Sequence, residues 1–178
     1  MSASINFNFN INNGTEKRLV VLREAIGESQ QHIILKLFAY LLFFEEKLQV
    51  EITAFQHHKP DLVKFDEEQN WKVTKWIDCG VIDIERLLKV SKHNRQAEIY
   101  IFKDSKDSVQ SLKDKMTKKE PKISNIHFYV FEKKERKTIQ ELMLGRNEII
   151  IENYPNVRDG YLNLIFNNET IEMAYYYF

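Results

Sequence analysis

Cysteine, proline and glycine are scarce in this chain, and so is any imbalance of charge. One cysteine, Cys79, stands among 178 residues, which excludes an internal disulfide and a cysteine-rich zinc site and fits a reducing cytoplasm. A buried free thiol is its plain reading. Three prolines and five glycines leave no material for a flexible linker, and no repeat or low-complexity segment is present. Lysine plus arginine equals aspartate plus glutamate at 26 each, so no long-range field draws the whole molecule to a polyanion. The most apolar run, Ile33 to Phe44, is interrupted by Lys36 and is shorter than the roughly 20 residues a bilayer span needs. No membrane association is expected. The start of the chain lacks a charged segment followed by an apolar stretch and a cleavage site, so export is not expected either. The length suits a single domain, residues 1–178, with one sizeable core.

What is present is a succession of short periodic segments. Ile5 to Ile11 reads I-N-F-N-F-N-I, a period of two that predicts a half-solvated strand, turned at Asn12-Asn13-Gly14. Leu19 to Ile26 suits a helix or a strand. Glu28 to Glu46 is predicted helical, because it holds no glycine or proline and its apolar residues surround the axis, which implies burial on most sides. Along it Glu28, His32 and Lys36 recur every fourth residue and share one polar edge. An acidic residue at the positive end of the helix dipole accounts for that edge in the ordinary way. A functional site is the sharper account.

Leu48 to Phe55 is strand-like, and His57-His58-Lys59-Pro60 leads to Asp61. The polar cluster D-E-E-Q-N, Asp66 to Asn70, separates Asp61–Phe65 from Trp71–Asp78 and suits a hairpin loop. If residues whose numbers sum to 139 pair across it, Asp61 faces Asp78 and both side chains emerge on one side. A slip of one residue would part them. Gly80 ends the second strand, Asp83 is a good N-cap, and Ile84, Leu87, Leu88 and Ser91 form a face that packs on the sheet, with Lys89 away from its centre. Ala97 to Phe102 completes a strand-helix-strand crossover with parallel strands. Ser105 to Lys118 reads as a further helix and Asn125 to Phe131 as a further parallel strand.

From the last turns of that helix into the loop after it stand Lys113, Lys115, Lys118, Lys119 and Lys122, and Glu132 to Lys137 adds more cations. Such a run is ordinarily solvated surface. It is also the one candidate phosphate-binding patch, so nucleic acid, if bound, is expected on a local basic patch. Glu148–Tyr154, Tyr161–Asn167 and Thr170–Phe178 are β-branched and aromatic and predict an antiparallel meander that completes the sheet with the first strand.

Two carboxylates on neighbouring extended segments, followed by a lysine-bearing helix, are a way to build a divalent-metal site without histidine or cysteine. The order helix, three strands, helix, strand, with acids at Glu28, Asp61 and Asp78, resembles the core of the PD-(D/E)XK nucleases. Four stretches narrow the resemblance: G-E-S-Q-Q-H-I-I-L-K-L-F-A-Y (Gly27–Tyr40), K-P-D-L (Lys59–Leu62), K-W-I-D-C-G (Lys75–Gly80) and D-I-E-R-L-L-K-V-S (Asp83–Ser91). They are similar to the S-E-T…H-x-x-x-R-L-L-A-W helix, the P-D-L-W segment, the W-I-E/D-V-G strand and the R-x-x-K-A helix of the YaeQ family. The match runs from about Glu28 to Phe102.

The resemblance implies an α/β, restriction-endonuclease-like fold with a mixed sheet and extra antiparallel strands, and a metal-dependent nuclease site of unassigned substrate. A non-catalytic binding or regulatory module on the same fold is the alternative. By position Glu28, Asp61 and Asp78 form the acidic group. Asp61 and Asp78 would hold Mg2+ or Mn2+, and Glu28 a water or a second ion. Gly80 stands where the superfamily's strand lysine would lie, so Lys89 is the cation assigned by position, with Lys92 second. Asp78 replaces a glutamate and draws the carboxylate inward by one methylene.

Overall fold

The computed structural model describes residues 4–54, 58–153 and 160–178. The chain is a mixed α/β protein and divides into two compact units, one of Met1–Leu42 with Phe131–Tyr176, the other of Phe43–Val130 with Tyr177 and Phe178.

In the first unit β1 (Ile5–Asn12) pairs antiparallel with β2 (Lys17–Glu24) and parallel with β8 (Arg146–Ile151). β9 (Gly160–Phe166) and β10 (Glu169–Tyr177) continue antiparallel from β8, as the C-terminal meander requires. The I-N-F-N-F-N-I alternation buries Phe7, Phe9 and Ile11, and Gly14 takes the left-handed turn conformation, φ 85°. The ambiguous Leu19–Ile26 segment is strand because its alternation buries Val20 and Leu22 and leaves Leu19 and Val21 outside.

Helix α1 (Gln30–Leu42) is buried without a break from Ile33 to Leu41, and a 3-10 turn at Phe44–Glu46 follows it. Helix α4 (Lys133–Leu142) is built from the charge run, and Lys133, Lys134 and Lys137 are exposed on it as a solvated run requires. One apolar position, Ile139, and the stem of Arg136 are buried, with Arg136 Nη1 donating to Gln31 Oε1 at 3.1 Å. A long cation can fill an inward helix position through its methylenes, and this hides the helical period from the sequence.

The second unit carries the sheet β3 (Gln49–Val50), β4 (Leu62–Asp66), β5 (Lys72–Cys79), β6 (Glu98–Lys103) and β7 (Ile126–Phe131). β3 to β5 pair antiparallel, β5 to β7 parallel. The strand expected over Leu48–Phe55 shrinks to Gln49–Val50, and its end at Phe55 lies outside the described residues, as do His57 and Tyr154. Helices α2 (Ile84–His93) and α3 (Lys106–Lys119) pack on one sheet face, where Trp76, Leu87, Leu88, Ile99, Ile101 and Phe128 form the core. Asp83 and Ser105 cap them, accepting from Arg86 N at 2.7 Å and Ser108 N at 3.2 Å. Each such cap contributes about 1 kcal/mol.

Among the described residues no helix is long and apolar enough to cross a membrane.

Candidate functional site

The hairpin register decides the site. Leu62 pairs with Ile77, Val63 with Trp76 and Lys64 with Lys75, the offset that sets Asp61 against Asp78. A bulge between Lys64 and Phe65 shifts the pairing by one residue toward the loop, so the register is kept only at the end that carries the acids. Beyond the last ladder pair the Asp61 carboxylate closes the strand end itself, with Oδ2 accepting from Cys79 N at 2.7 Å. Asp78 lies on the α2 face with Trp76, two residues away on the same strand, and Trp76 Nε1 donates to Asp78 Oδ2 at 3.0 Å. Both rotamers are therefore fixed before any ligand arrives.

The cation at this pair is Arg86. Its Nη2 lies 3.4 Å from both Asp78 oxygens and donates to Lys59 O at 3.1 Å. Its Nε is buried and has no hydrogen-bond partner among the described residues. At 3.4 Å the guanidinium is too far for a close bidentate pair, which would sit near 2.8 Å. Asp78 is thus only partly neutralised. Burial, with the neighbouring Asp61 charge adding to it, pushes its carboxyl up to about 6, against the opposing pull of Trp76, Arg86 and a backbone hydrogen bond from Asp61.

Gly80 has φ 72°, a left-handed conformation that strains any side chain with a Cβ. This is why the strand stops there and why the position that would bear a lysine in the superfamily pattern cannot carry one without strain. Its carbonyl accepts instead from Lys103 Nζ at 2.7 Å. Lys89, assigned by position, is exposed on α2 and lines a cleft with Glu85, Lys92, Lys119 and Glu120. Lys92 is ion-paired with Glu120.

Glu28 belongs to the first unit, in the turn before α1. Its Oε1 lies 2.7 Å from the buried Lys36 Nζ and 3.3 Å from His32 Nε2, and its Oε2 accepts from Ala25 N at 2.8 Å. The polar edge seen in the sequence is this ion-pair cluster. Within the second unit, then, Asp61 and Asp78 come together, and the side chain that joins them was not foreseen. The signal was present: Arg86 is the arginine of the R-x-x-K stretch, one turn ahead of the lysine that drew attention.

Among the described residues no three histidine, cysteine, aspartate or glutamate side chains are grouped to hold a metal ion. Two carboxylates nevertheless suit Mg2+, which keeps several waters and binds through one or two carboxylates plus substrate phosphates. The under-neutralised Asp78 and the unpartnered Arg86 Nε are the two groups that such a cation and a phosphate oxygen would satisfy.

A mixed α/β unit with paired carboxylates at a strand end and a guanidinium beside them is the class of protein these features define. A family model described as YaeQ protein matches residues 22–174, and the chain belongs to that family. The crystal structure of YaeQ from Xanthomonas axonopodis pv. citri is 15% identical, with a TM-score of 0.72 over 99% of this chain and 98% of that one. The YaeQ structure from Pseudomonas syringae is also 15% identical, with a TM-score of 0.74 over 99% and 95% of the two chains. At this identity they share the fold. No curated protein matches the chain.

Proposed function

We propose that this protein is a metal-dependent phosphodiesterase of the PD-(D/E)XK kind acting on nucleic acid, with a restriction-endonuclease-like core. The single observation that carries the reading is Asp78: a buried carboxyl beside Asp61, pushed up to about 6, with an arginine near it whose Nε is unpartnered. Such a group gains from a divalent cation more than from solvent. Asp61 and Asp78 are the metal carboxylates, and Mg2+ or Mn2+ held there would supply Lewis-acid polarisation of a phosphodiester. Trp76 Nε1 and Cys79 N hold the two carboxylates in place. Arg86, partly exposed beside the pair, offsets charge that develops on the phosphate. The family resemblance also names Glu28, which belongs to the first unit, and Glu28→Gln tests that expectation by itself. The buried thiol of Cys79 supports a reducing, cytoplasmic setting.

Arg86 facing both Asp78 oxygens also favours a second reading, a binding module on the same fold in which an internal guanidinium has replaced the metal. Thermal melting with and without Mn2+ or Mg2+ separates the two. The native chain is expected to melt higher with metal, gaining about 2.7 kcal/mol at a hundredfold excess over Kd, and Asp61→Asn/Asp78→Asn is expected to show no gain. Equal responses in both proteins sink the metal site. Cleavage assays on single-stranded DNA, duplex DNA and RNA then identify the substrate class.

A further inference from the structure

The charges of this chain cancel overall, yet α2 does not share that balance. Arg86, Lys89, Lys92 and Arg95 recur at every third residue, so they form one oblique ridge along α2 and just past its end. At 1.5 Å per residue the helical part of the ridge, Arg86 to Lys92, spans about 9 Å of helix axis. It starts at the guanidinium beside Asp78 and ends at two adjoining clefts of about 400 Å³ each, which share Lys92 and Glu120 as a common wall.

The first cleft is lined by Ser91, Arg95, Lys122 and Ser124 and floored by Asn125, whose Oδ1 accepts from Ser91 Oγ at 2.5 Å. Asn125 Nδ2 donates to Asn94 O and Ala97 O at 3.1 and 3.0 Å. That floor is rigid and polar. The second cleft adds Lys89 and Lys119. Five cations thus face two carboxylates, and both carboxylates are engaged, Glu120 with Lys92 and Glu85 with Lys119. Lys89, Arg95 and Lys122 are exposed and have no ion-pair partner among the described residues. No aromatic side chain lines either cleft, so nothing there can stack a base or a nucleoside.

We infer that this ridge and its two clefts bind successive phosphates of one nucleic-acid strand, independently of base sequence, and lead that strand toward Arg86 and the acid pair. Lys89, Arg95 and Lys122 each take a phosphate, while Lys92 and Lys119 hold α2 to α3. Lys89 is thereby a substrate-binding residue and not the cation of the acid pair. The choice of a polynucleotide among phosphate carriers rests on the phosphodiesterase reading. The binding does not, because it needs no metal.

The test is fluorescence anisotropy of a labelled mixed-sequence 16-mer in EDTA, single-stranded and duplex, from 50 to 200 mM NaCl. The native chain is expected to bind, with log Kobs falling linearly with log[NaCl]. Lys89→Gln/Arg95→Gln/Lys122→Gln is expected to bind at least about tenfold more weakly at 50 mM, with the slope reduced by about 2 to 3. All three residues are exposed, and an unchanged melting temperature verifies the fold. Lys133→Gln/Lys134→Gln/Lys137→Gln, the same charge change on α4, is expected to stay within about twofold of native.

Native and triple-variant affinities that agree, or an equal loss in the α4 control, overturn the proposal. Inorganic phosphate at the same phosphate concentration should leave the oligonucleotide bound; displacement would mean a single-phosphate site and overturn the strand assignment. Binding without any metal-dependent cleavage would count against the phosphodiesterase reading and leave the ridge supported.

Discussion

Two buried charges sit on opposite faces of β5, and the protein treats them differently. Lys75 points away from α2, with Nζ 3.2 Å from Glu46 Oε1, 3.7 Å from Glu98 Oε2 and 4.3 and 5.0 Å from the ring centres of Phe43 and Tyr100. Two carboxylates and two ring faces surround one ammonium group. Asp78, on the other face, has one indole N–H and a guanidinium at 3.4 Å, and a second carboxylate as neighbour. A charge enclosed by counter-charges can be buried at little net cost, whereas one left short of them shifts its pKa and gains by taking a cation. The contrast is why the proposed site is placed on the Asp78 face, whereas the Lys75 charge is already matched by its neighbours.

The same division extends to the neighbouring ionisable groups. Around Lys75, burial works against the Glu46 carboxylate, yet Lys64 and Lys75 hold it below its ordinary range. Burial, together with Glu98, raises the Tyr100 phenol, and burial lowers the His127 imidazole against the pull of Glu98. His127 stacks on Tyr100 with centroids 5.1 Å apart and meets the Tyr177 hydroxyl at 2.5 Å. Each of these four groups, Lys75, Glu46, Tyr100 and His127, has a polar or charged partner among the described residues.

Removing the acid pair should break the contrast most completely. Asp61→Asn/Asp78→Asn is expected to lower metal-dependent cleavage by about a thousandfold and to abolish the metal-induced rise in melting temperature, while the fold persists by circular dichroism. Next comes Arg86→Gln, expected to lower cleavage by about a hundredfold, as loss of a donor to developing phosphate charge does. Metal affinity should hold or improve, because a competing cation has gone. Weaker metal binding in that variant would show that Arg86 supports the carboxylates and does not serve the phosphate.

A smaller effect follows from the pKa of Asp78. Its folded value, about 6, exceeds the unfolded value of about 3.9, so between these the folded state retains a proton that the unfolded state has lost. The contribution of this group to stability is therefore greatest below about pH 4, falls as pH rises toward 6, and stays low above it. Denaturant unfolding in EDTA should show Asp78→Asn gaining on the native chain across that window, by on the order of 2 kcal/mol. A constant difference from pH 4 to 7 would mean that Asp78 is already balanced. The smallest effect belongs to the other face. Lys75→Met leaves Glu46 and Glu98 partly exposed to water and Glu46 still bonded to Lys64 at 2.5 Å. It should cost about 1 kcal/mol, a drop of about 2–4 °C in melting temperature, with the metal response unchanged.

Much of the second unit was legible in advance. The polar cluster at Asp66–Asn70 separated the two strands and placed the turn, and the offset that sets Asp61 against Asp78 holds from Leu62 to Lys64. The bulge after Lys64 was not legible, since an extra residue leaves the apolar pattern of a short strand nearly intact. Asp83, Gly80 and the parallel β5–β6 crossover could be read because caps, left-handed glycines and crossover handedness depend on few residues. Helix α4 and strand β2 were not read, the first because its inward positions include a charged side chain, the second because eight residues fit two periods.

By itself the sequence determined that β1 alternates, where the Asp66–Asn70 turn falls and which residue caps α2, because each of these is fixed by neighbours close along the chain, while the register that sets Asp61 against Asp78 came from the sheet. The tertiary structure alone decided which cation meets them. Arg86 and Lys89 are one turn apart on α2 and equally basic, and the packing of that helix on β5 turns the guanidinium toward Asp78 and leaves the lysine in the cleft shared with α3. A rotation of that helix by less than a third of a turn would exchange them, and only the fit of Leu87, Leu88 and Val90 into the sheet core prevents it.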